Sequence, residues 1–402
     1  MAGDDHGDSA AAGDDRPPVG RVGLTTIARE WGRIGCIGFG GPPTHIALLR
    51  QLCVERRRWI SAGEFEDGIA VTNLLPGPAS TQLAIFTAWR LRGTPGALVG
   101  GFFFIVPGLV LILALAALFL SGNPPRWVQG IAAGAGAAVA AVAVQAAWAL
   151  VPASWKRAGP ERAARARWLG YGLAGAVAAA VTGPWLVLVL VAAGIVEALV
   201  RGHLRARPGR PVLSWPVLAL APPAVGGLSA LAWVALKVGA LSYGGGFVII
   251  PLMQADAVDN YHWMTAGQFL NAVALGQITP GPVVQTVAVV GYAAAGLGGG
   301  LLAAVVAFAP SFVFVILGGP RFDRLRANRT VQAFFNGAGP AVIGAIAGSA
   351  IPLALSLQHL WQWGVLAAAG LWLLAAHRGV VSALLGAGAI GVIAALVGWP
   401  VA

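Results

Sequence analysis

From Gly96 to Leu120 the chain carries no charged side chain, and the same holds from Val128 to Val151, Leu297 to Leu317 and Val331 to Leu353. A helix of roughly 20 apolar residues spans the hydrocarbon core of a bilayer, so these runs select a polytopic integral membrane protein. Only 10% of the 402 residues are charged and 57% are hydrophobic, far from the balance of a soluble domain. The 57 Gly and 26 Pro fit the same class, since both are commoner in membrane helices than in soluble ones. A net charge of +11 would suggest nucleic acid in a soluble chain. Here the Arg residues sit in short loops between apolar segments, as at Glu55–Trp59 and Arg321–Arg329. That is the positive-inside pattern, so lipid headgroups are the expected partner and nucleic acid is not.

Two membrane-like segments are broken in the middle by Pro-Gly-Pro, at Pro76, Gly77, Pro78 and again at Pro280, Gly281, Pro282. A shift of 204 residues carries the first motif onto the second. The same shift lays Gly40-Gly41 over Gly244-Gly245 and Trp59–Phe65 over Trp263–Phe269. One residue of slippage later, Pro107 meets Pro310 and Arg126–Gly136 meets Arg329–Gly339. The chain is read as a duplication: a disordered acidic tail over 1–20, a first repeat over 21–200, a basic linker over 201–211 and a second repeat over 212–402. No basic start with an apolar core, the mark of a cleavable signal peptide, precedes the first repeat. Cys36 and Cys53 are too few to suggest a disulfide or metal site.

Matching loops carry opposite charge bias. Arg50, Arg56, Arg57 and Arg58 follow the first Gly-Gly segment, whereas its counterpart after the second holds no Lys or Arg. Further on, Arg126 stands nearly alone while the equivalent loop holds Arg321, Arg324, Arg326 and Arg329. Opposite bias implies opposite orientation, the inverted-repeat design of secondary transporters. The expected fold is all-α and membrane-integral. It has two inverted repeats with about 10 transmembrane helices, five crossings per half, and two re-entrant helices broken at Pro-Gly-Pro. On that count both termini lie opposite the basic loops.

Proline inside a helix removes a hydrogen bond and clashes with the preceding turn, at about 3 kcal/mol or more. Two such breaks at equivalent positions call for a purpose. With Pro78 and Pro282 in the first turn of new half-helices, the following N–H groups form anion-attracting termini near mid-membrane. Ser80, Thr81, Gln82, Gln285 and Thr286 add hydroxyls and amides there, and the backbone at Gly40, Gly41, Gly244, Gly245, Gly77 and Gly281 allows close approach. Arg33 and Lys237, related by the same shift, supply a cation in each half. A cation inside a membrane segment costs enough that use by the protein is the default reading. The expected ligand is a small dianionic oxyanion, with no metal and no cofactor. Other ionisable groups of these segments are read in half one only, where His45 or Glu66 could carry a coupling proton.

These residues carry a family resemblance. Phe39–Arg50, Trp59–Phe65, Leu74–Ile85 and Phe102–Gly108 resemble the first domain of the chromate ion transporter family in its long, two-domain form. Tyr243–Gln254, Ala274–Val284 and Gly291–Ala303 are similar to its second. The resemblance implies export of chromate across the bacterial inner membrane, with sulfate as the chemical look-alike; a homodimer is compatible with it. It marks Gly40, Gly41, Pro42, His45, Pro76, Gly77, Pro78 and Gln82 in half one, and Gly244, Gly245, Pro280, Gly281 and Pro282 in half two. A carrier of another oxyanion and a passive anion channel are the rival readings. An intramembrane enzyme is disfavoured, because neither His-Glu-x-x-His nor Gly-x-Ser-x-Gly occurs, and no Walker A sequence couples the chain to ATP.

Overall fold

The computed structural model describes residues 22–72, 75, 77–120, 124–181, 186–202, 227–242, 249–318 and 328–401. Those residues form helices and short connections, with no strand among them. The acidic tail, Pro76, Gly244, Gly245 and most of the basic linker lie outside the described residues.

Half one begins with α1 (Leu24–Ile37). Gly40 and Gly41, at φ +94° and +76°, then turn the chain into α2 (Pro42–Arg50), which continues as a π-helical stretch, Gln51–Arg56. Those dihedrals are open to Gly without steric cost, and proline suits the first turn that follows. The chain then folds back beside α1: Arg57 reaches Glu30 at 3.1 Å, and Trp59 stacks on Trp31 with ring centroids 6.5 Å apart. The Gly-Gly break is therefore itself a reversal. α1 and α2 thus lie side by side rather than forming one straight span.

A second hairpin joins α3 (Ala62–Thr72) to the first limb of α4 (Ala79–Phe119), with Gly77 at its closed end. Arg90 pairs with Glu64 across the open end, and Gly68 packs so closely on Phe86 that an added Cβ would come within 2.6 Å of the ring. The Trp31 indole donates to the Ala84 carbonyl at 2.7 Å and seats α1 on this limb. The helix then bends at Arg92 (φ −144°, ψ 17°) and Gly93 (φ 62°, ψ −150°). Its second limb restarts with Pro95 in a first turn, where the missing N–H is harmless.

Half two repeats this plan with α8 (Leu228–Leu241), α9 (Ile249–Gln254, continued by a π-helical stretch Ala255–Asn260), α10 (Ala266–Ile278) and α11 (Thr286–Gly318). The bend recurs at Ala295 (φ −152°, ψ 34°) and Gly296 (φ 61°, ψ −155°). Thus the duplication extends to backbone dihedrals that no side-chain match required. The second limbs of α4 and α11 run antiparallel. Gly101, early in one, meets Phe312, late in the other, while Leu113, late in the first, meets Gly300, early in the second.

The remaining helices are α5 (Arg126–Ala158), α6 (Arg162–Val181) and α7 (Leu186–Val200) in half one. Their counterparts are α12 (Arg329–Leu355), α13 (Leu360–Gly370, extended by Leu371–Ala375) and α14 (Val380–Leu396). These sets exchange partners: α6 and α7 pack on α12, while α13 and α14 pack on α5. Glycines line the seams. An added Cβ on Gly344 would lie 1.8 Å from the Gly172 carbonyl, and one on Gly134 2.1 Å from that of Ala387. In lipid, where no hydrophobic drive joins helices, such backbone proximity supplies the packing energy. Among the described residues four helices, α4, α5, α11 with its leading turn, and α12, are long and apolar enough to cross a membrane. The protein is thus a multi-pass membrane protein whose halves interlock, so neither is an independent bead.

Candidate functional site

The hairpin tips of the two halves meet. The Gly281 N–H donates to the Gly38 carbonyl at 3.0 Å, and the same carbonyl lies 2.9 Å from His45 Nε2. An added Cβ on Gly41 would sit 3.7 Å from Val283, and one on Gly108 only 2.1 Å from the Pro280 carbonyl. Gln285 donates through Nε2 to the Ile105 carbonyl of α4 at 2.8 Å. On the other side, a Cβ at Gly77 would lie 3.4 Å from Ser311 Oγ. Each Pro-Gly-Pro tip therefore rests on the residue after the in-helix proline of the opposite half, Pro107-Gly108 or Pro310-Ser311.

Pro78 and Pro282 are extended residues capping the helices that follow (φ −71° and −67°), one step earlier than the first-turn position expected for them. The Pro78 carbonyl accepts the first helical bond from Gln82 N at 3.0 Å, so α4 starts cleanly at Ala79. In half two a 3-10 turn, Val283–Gln285, intervenes before α11. The first N–H groups of α4 have no acceptor within that helix, whereas the Thr286 N–H that leads α11 bonds back into the 3-10 turn.

Ser80, Thr81, Gln82, Gln285 and Thr286 are all buried here, none more than 2% exposed. Thr286 satisfies its hydroxyl internally, on the Val283 carbonyl at 2.8 Å. Among the described residues Thr81 Oγ1, Gln285 Oε1, His45 Nδ1 and Ser311 Oγ have no hydrogen-bond partner. Each such atom costs about 1–3 kcal/mol when left unsatisfied, and their gathering at one crossing suits a polar ligand. Ser311 is the member that the sequence reading missed. Its signal was available, as a hydroxyl directly after a proline in an apolar run.

The basic residues are placed differently from the expectation. Lys237 donates to the Asp256 carboxylate; the two are 8% and 2% exposed, and Asn260 donates to the other carboxylate oxygen at 3.1 Å. Arg33 is exposed on α1. Two uncompensated cations flanking one site are therefore not present: one is neutralised, and the other does not reach the crossing. Half one has Leu52 where half two has Asp256, so ionisable groups are not confined to half one, as had been expected. Of the two coupling candidates, His45 lies fully buried at the crossing, while exposed Glu66 pairs with Arg50 at 3.4 Å. At the surface end of α3, burial would raise the Glu64 carboxyl, but hydrogen bonds from Arg90 and Ser61 and the Arg90 charge hold it below its ordinary value.

Comparison with known proteins places these features in a family. The family model described as chromate transporter matches residues 25–198 and 229–394. The chain is 32% identical over 338 residues to a chromate transport protein of Cupriavidus metallidurans, covering 80% of each chain. It is 29% identical over 352 residues to a probable chromate transport protein of Synechococcus elongatus, covering 84% of this chain and 86% of the other. An uncharacterized transporter of Methanocaldococcus jannaschii is 24% identical over 356 residues, 83% of this chain and 84% of its own. No solved structure matches the chain significantly.

Proposed function

The chain belongs to the chromate transporter family, and on that premise we propose that it is a secondary active transporter exporting chromate across the bacterial inner membrane, and so conferring chromate resistance. The observation that carries this reading is the meeting of two broken helices, one from each half, over buried hydroxyl, amide and imidazole atoms without partners among the described residues. An apolar membrane interior excludes such groups unless something polar occupies them. The α4 N-terminus and the Thr81 and Ser311 hydroxyls, free among the described residues, are donors that favour an anion, and chromate is a small tetrahedral dianion able to accept from several donors at once.

In this reading the repeats, 21–200 and 212–402, stand inverted in the membrane, and each Pro-Gly-Pro hairpin enters and leaves on one face. The Glu64–Arg90 pair and the antiparallel limbs of α4 and α11 support it. Chromate is contacted by Ser80, Thr81, Gln82, Gln285 and Thr286 and by backbone at Gly40, Gly41, Gly77, Gly244, Gly245 and Gly281. Pro76, Pro78, Pro280 and Pro282 keep the helix ends open. His45, between the tips, is the group placed to follow a proton. Lys237 acts only as one member of its ion pair, and Arg33 stays outside the site.

Labelled chromate uptake into inside-out vesicles, with and without an imposed ion gradient and with excess sulfate, tests the proposal. Gradient-dependent accumulation that sulfate inhibits is expected. Flux that ignores the gradient would make the protein a passive channel, and absence of chromate flux with sulfate uptake would make it a carrier of another oxyanion.

A further inference from the structure

Hydroxyls in membrane helices ordinarily satisfy themselves by bonding a carbonyl three or four residues back. This chain follows that rule repeatedly: Thr72 bonds Gly68 at 2.9 Å, Thr87 bonds Leu83 at 2.8 Å, Thr279 bonds Leu275 at 2.8 Å and Ser349 bonds Ile346 at 2.7 Å. Ser311 and Thr81 depart from it. Both are helical, both are 0% exposed, and neither hydroxyl has a partner among the described residues. For Ser311 the usual acceptor is the Ala307 carbonyl. That group is packed against Gly239, where an added Cβ would come within 2.0 Å of it.

The two halves treat this position unequally. Gly108 has to lack a side chain, because the Pro280 carbonyl occupies the place of its Cβ. That tip is closed by bonds within the protein, from Gly281 N to Gly38 and from Gln285 to Ile105. Its counterpart in half two is Ser311, whose hydroxyl faces the Gly77 tip at contact distance and stands near the N-terminal turn of α4 that carries Thr81. A helix N-terminus together with two buried, unpartnered hydroxyls is a donor set for the oxygens of a tetrahedral anion.

We propose that Ser311, carried by half two, completes the anion subsite of half one, and that its hydroxyl and that of Thr81 bind oxygens of the transported oxyanion at the Gly77 tip. This rests on the transport reading above but adds to it. Within the wider set of contacts proposed above, the first break supplies this hydroxyl pair, while the second is braced by bonds within the protein.

Uptake kinetics of labelled chromate and of labelled sulfate, measured separately for wild type, Ser311→Ala, Ser311→Thr and Ser349→Ala, test the assignment. Ser311→Ala is expected to raise KM roughly tenfold, the loss of one hydrogen bond to a charged group, with Vmax nearly kept. Ser311→Thr, which retains the hydroxyl, restores KM, and Ser349→Ala leaves it unchanged. An unaltered KM in Ser311→Ala, or equal shifts in Ser311→Ala and Ser349→Ala, overturns the role of Ser311 while wild-type flux keeps the transport reading intact. If wild type carries sulfate alone and Ser311→Ala raises its KM, the subsite stands and only the substrate changes. Absence of flux of either anion removes both.

Discussion

The Gly281 N–H donates to the Gly38 carbonyl at 3.0 Å, joining the Pro-Gly-Pro tip of one half to the Gly-Gly tip of the other. Neither group would be free for this bond inside an unbroken helix, so the breaks create the contact they meet through. The same carbonyl also engages His45 at 2.9 Å, which places the imidazole against the junction of the repeats. Movement of one tip past the other would therefore change the surroundings of His45 directly.

Closeness at this junction predicts sharp sensitivity to one methyl group. In Gly108→Ala the new Cβ would fall 2.1 Å from the Pro280 carbonyl, so backbone must separate. A loss of about 1–3 kcal/mol and of transport is expected. Gly386→Ala in α14, where nothing lies within 4 Å, should be neutral or stabilise by about 0.4–1 kcal/mol. Thermal unfolding in detergent alongside vesicle flux checks both; a fully active Gly108→Ala protein would show that the tips do not touch.

The buried Lys237–Asp256 pair predicts a non-additive cycle. Asp256→Asn leaves the ammonium uncompensated at 8% exposure, a situation that costs about 3–5 kcal/mol. Lys237→Met with Asp256→Leu removes both charges and should recover most of the folded protein. Size-exclusion profiles of the single and double variants decide it. A well-folded Asp256→Asn protein would mean that Lys237 has another partner.

Opposed hairpins predict opposed accessibility. In a Cys36→Ser, Cys53→Ala background, Gly63→Cys and Thr94→Cys should react with an impermeant thiol reagent from the same side of the membrane. Gly267→Cys and Leu297→Cys, at equivalent places in half two, should react from the other. Labelling of Gly63→Cys and Thr94→Cys from opposite sides would make the first Pro-Gly-Pro segment a full crossing.

The Glu64–Arg90 pair predicts a modest acid effect. Its folded-state carboxyl lies below the ordinary value, so its stabilisation is present above the unfolded pKa and fades as pH falls through the folded one. Melting temperatures of wild type and Glu64→Gln, compared against pH, should differ slightly near neutrality and converge in acid. Both side chains are partly exposed, so a large gap at neutral pH would contradict this.

Much of this architecture was legible because two halves of one chain reported on each other. The shift relating Pro76 to Pro280 also located the tips that meet, and loop charges anticipated the antiparallel limbs of α4 and α11. Partner exchange among α5, α6, α12 and α14 was not legible, since apolar helices with small residues on several faces do not name their neighbours. Asp256 was overlooked for a related reason. Aligning the halves draws attention to what matches, and Asp256 stands opposite Leu52. The same alignment overrated Arg33, whose equivalence to Lys237 holds in register but not in surroundings.

Equilibrium binding of labelled chromate to the purified protein in lipid nanodiscs, wild type against Thr81→Ala, tests the central claim most directly. The account predicts saturable binding that sulfate displaces, weakened at least tenfold when the buried Thr81 hydroxyl is removed. Equal affinity in the two proteins would place the anion away from the broken helices and contradict the account.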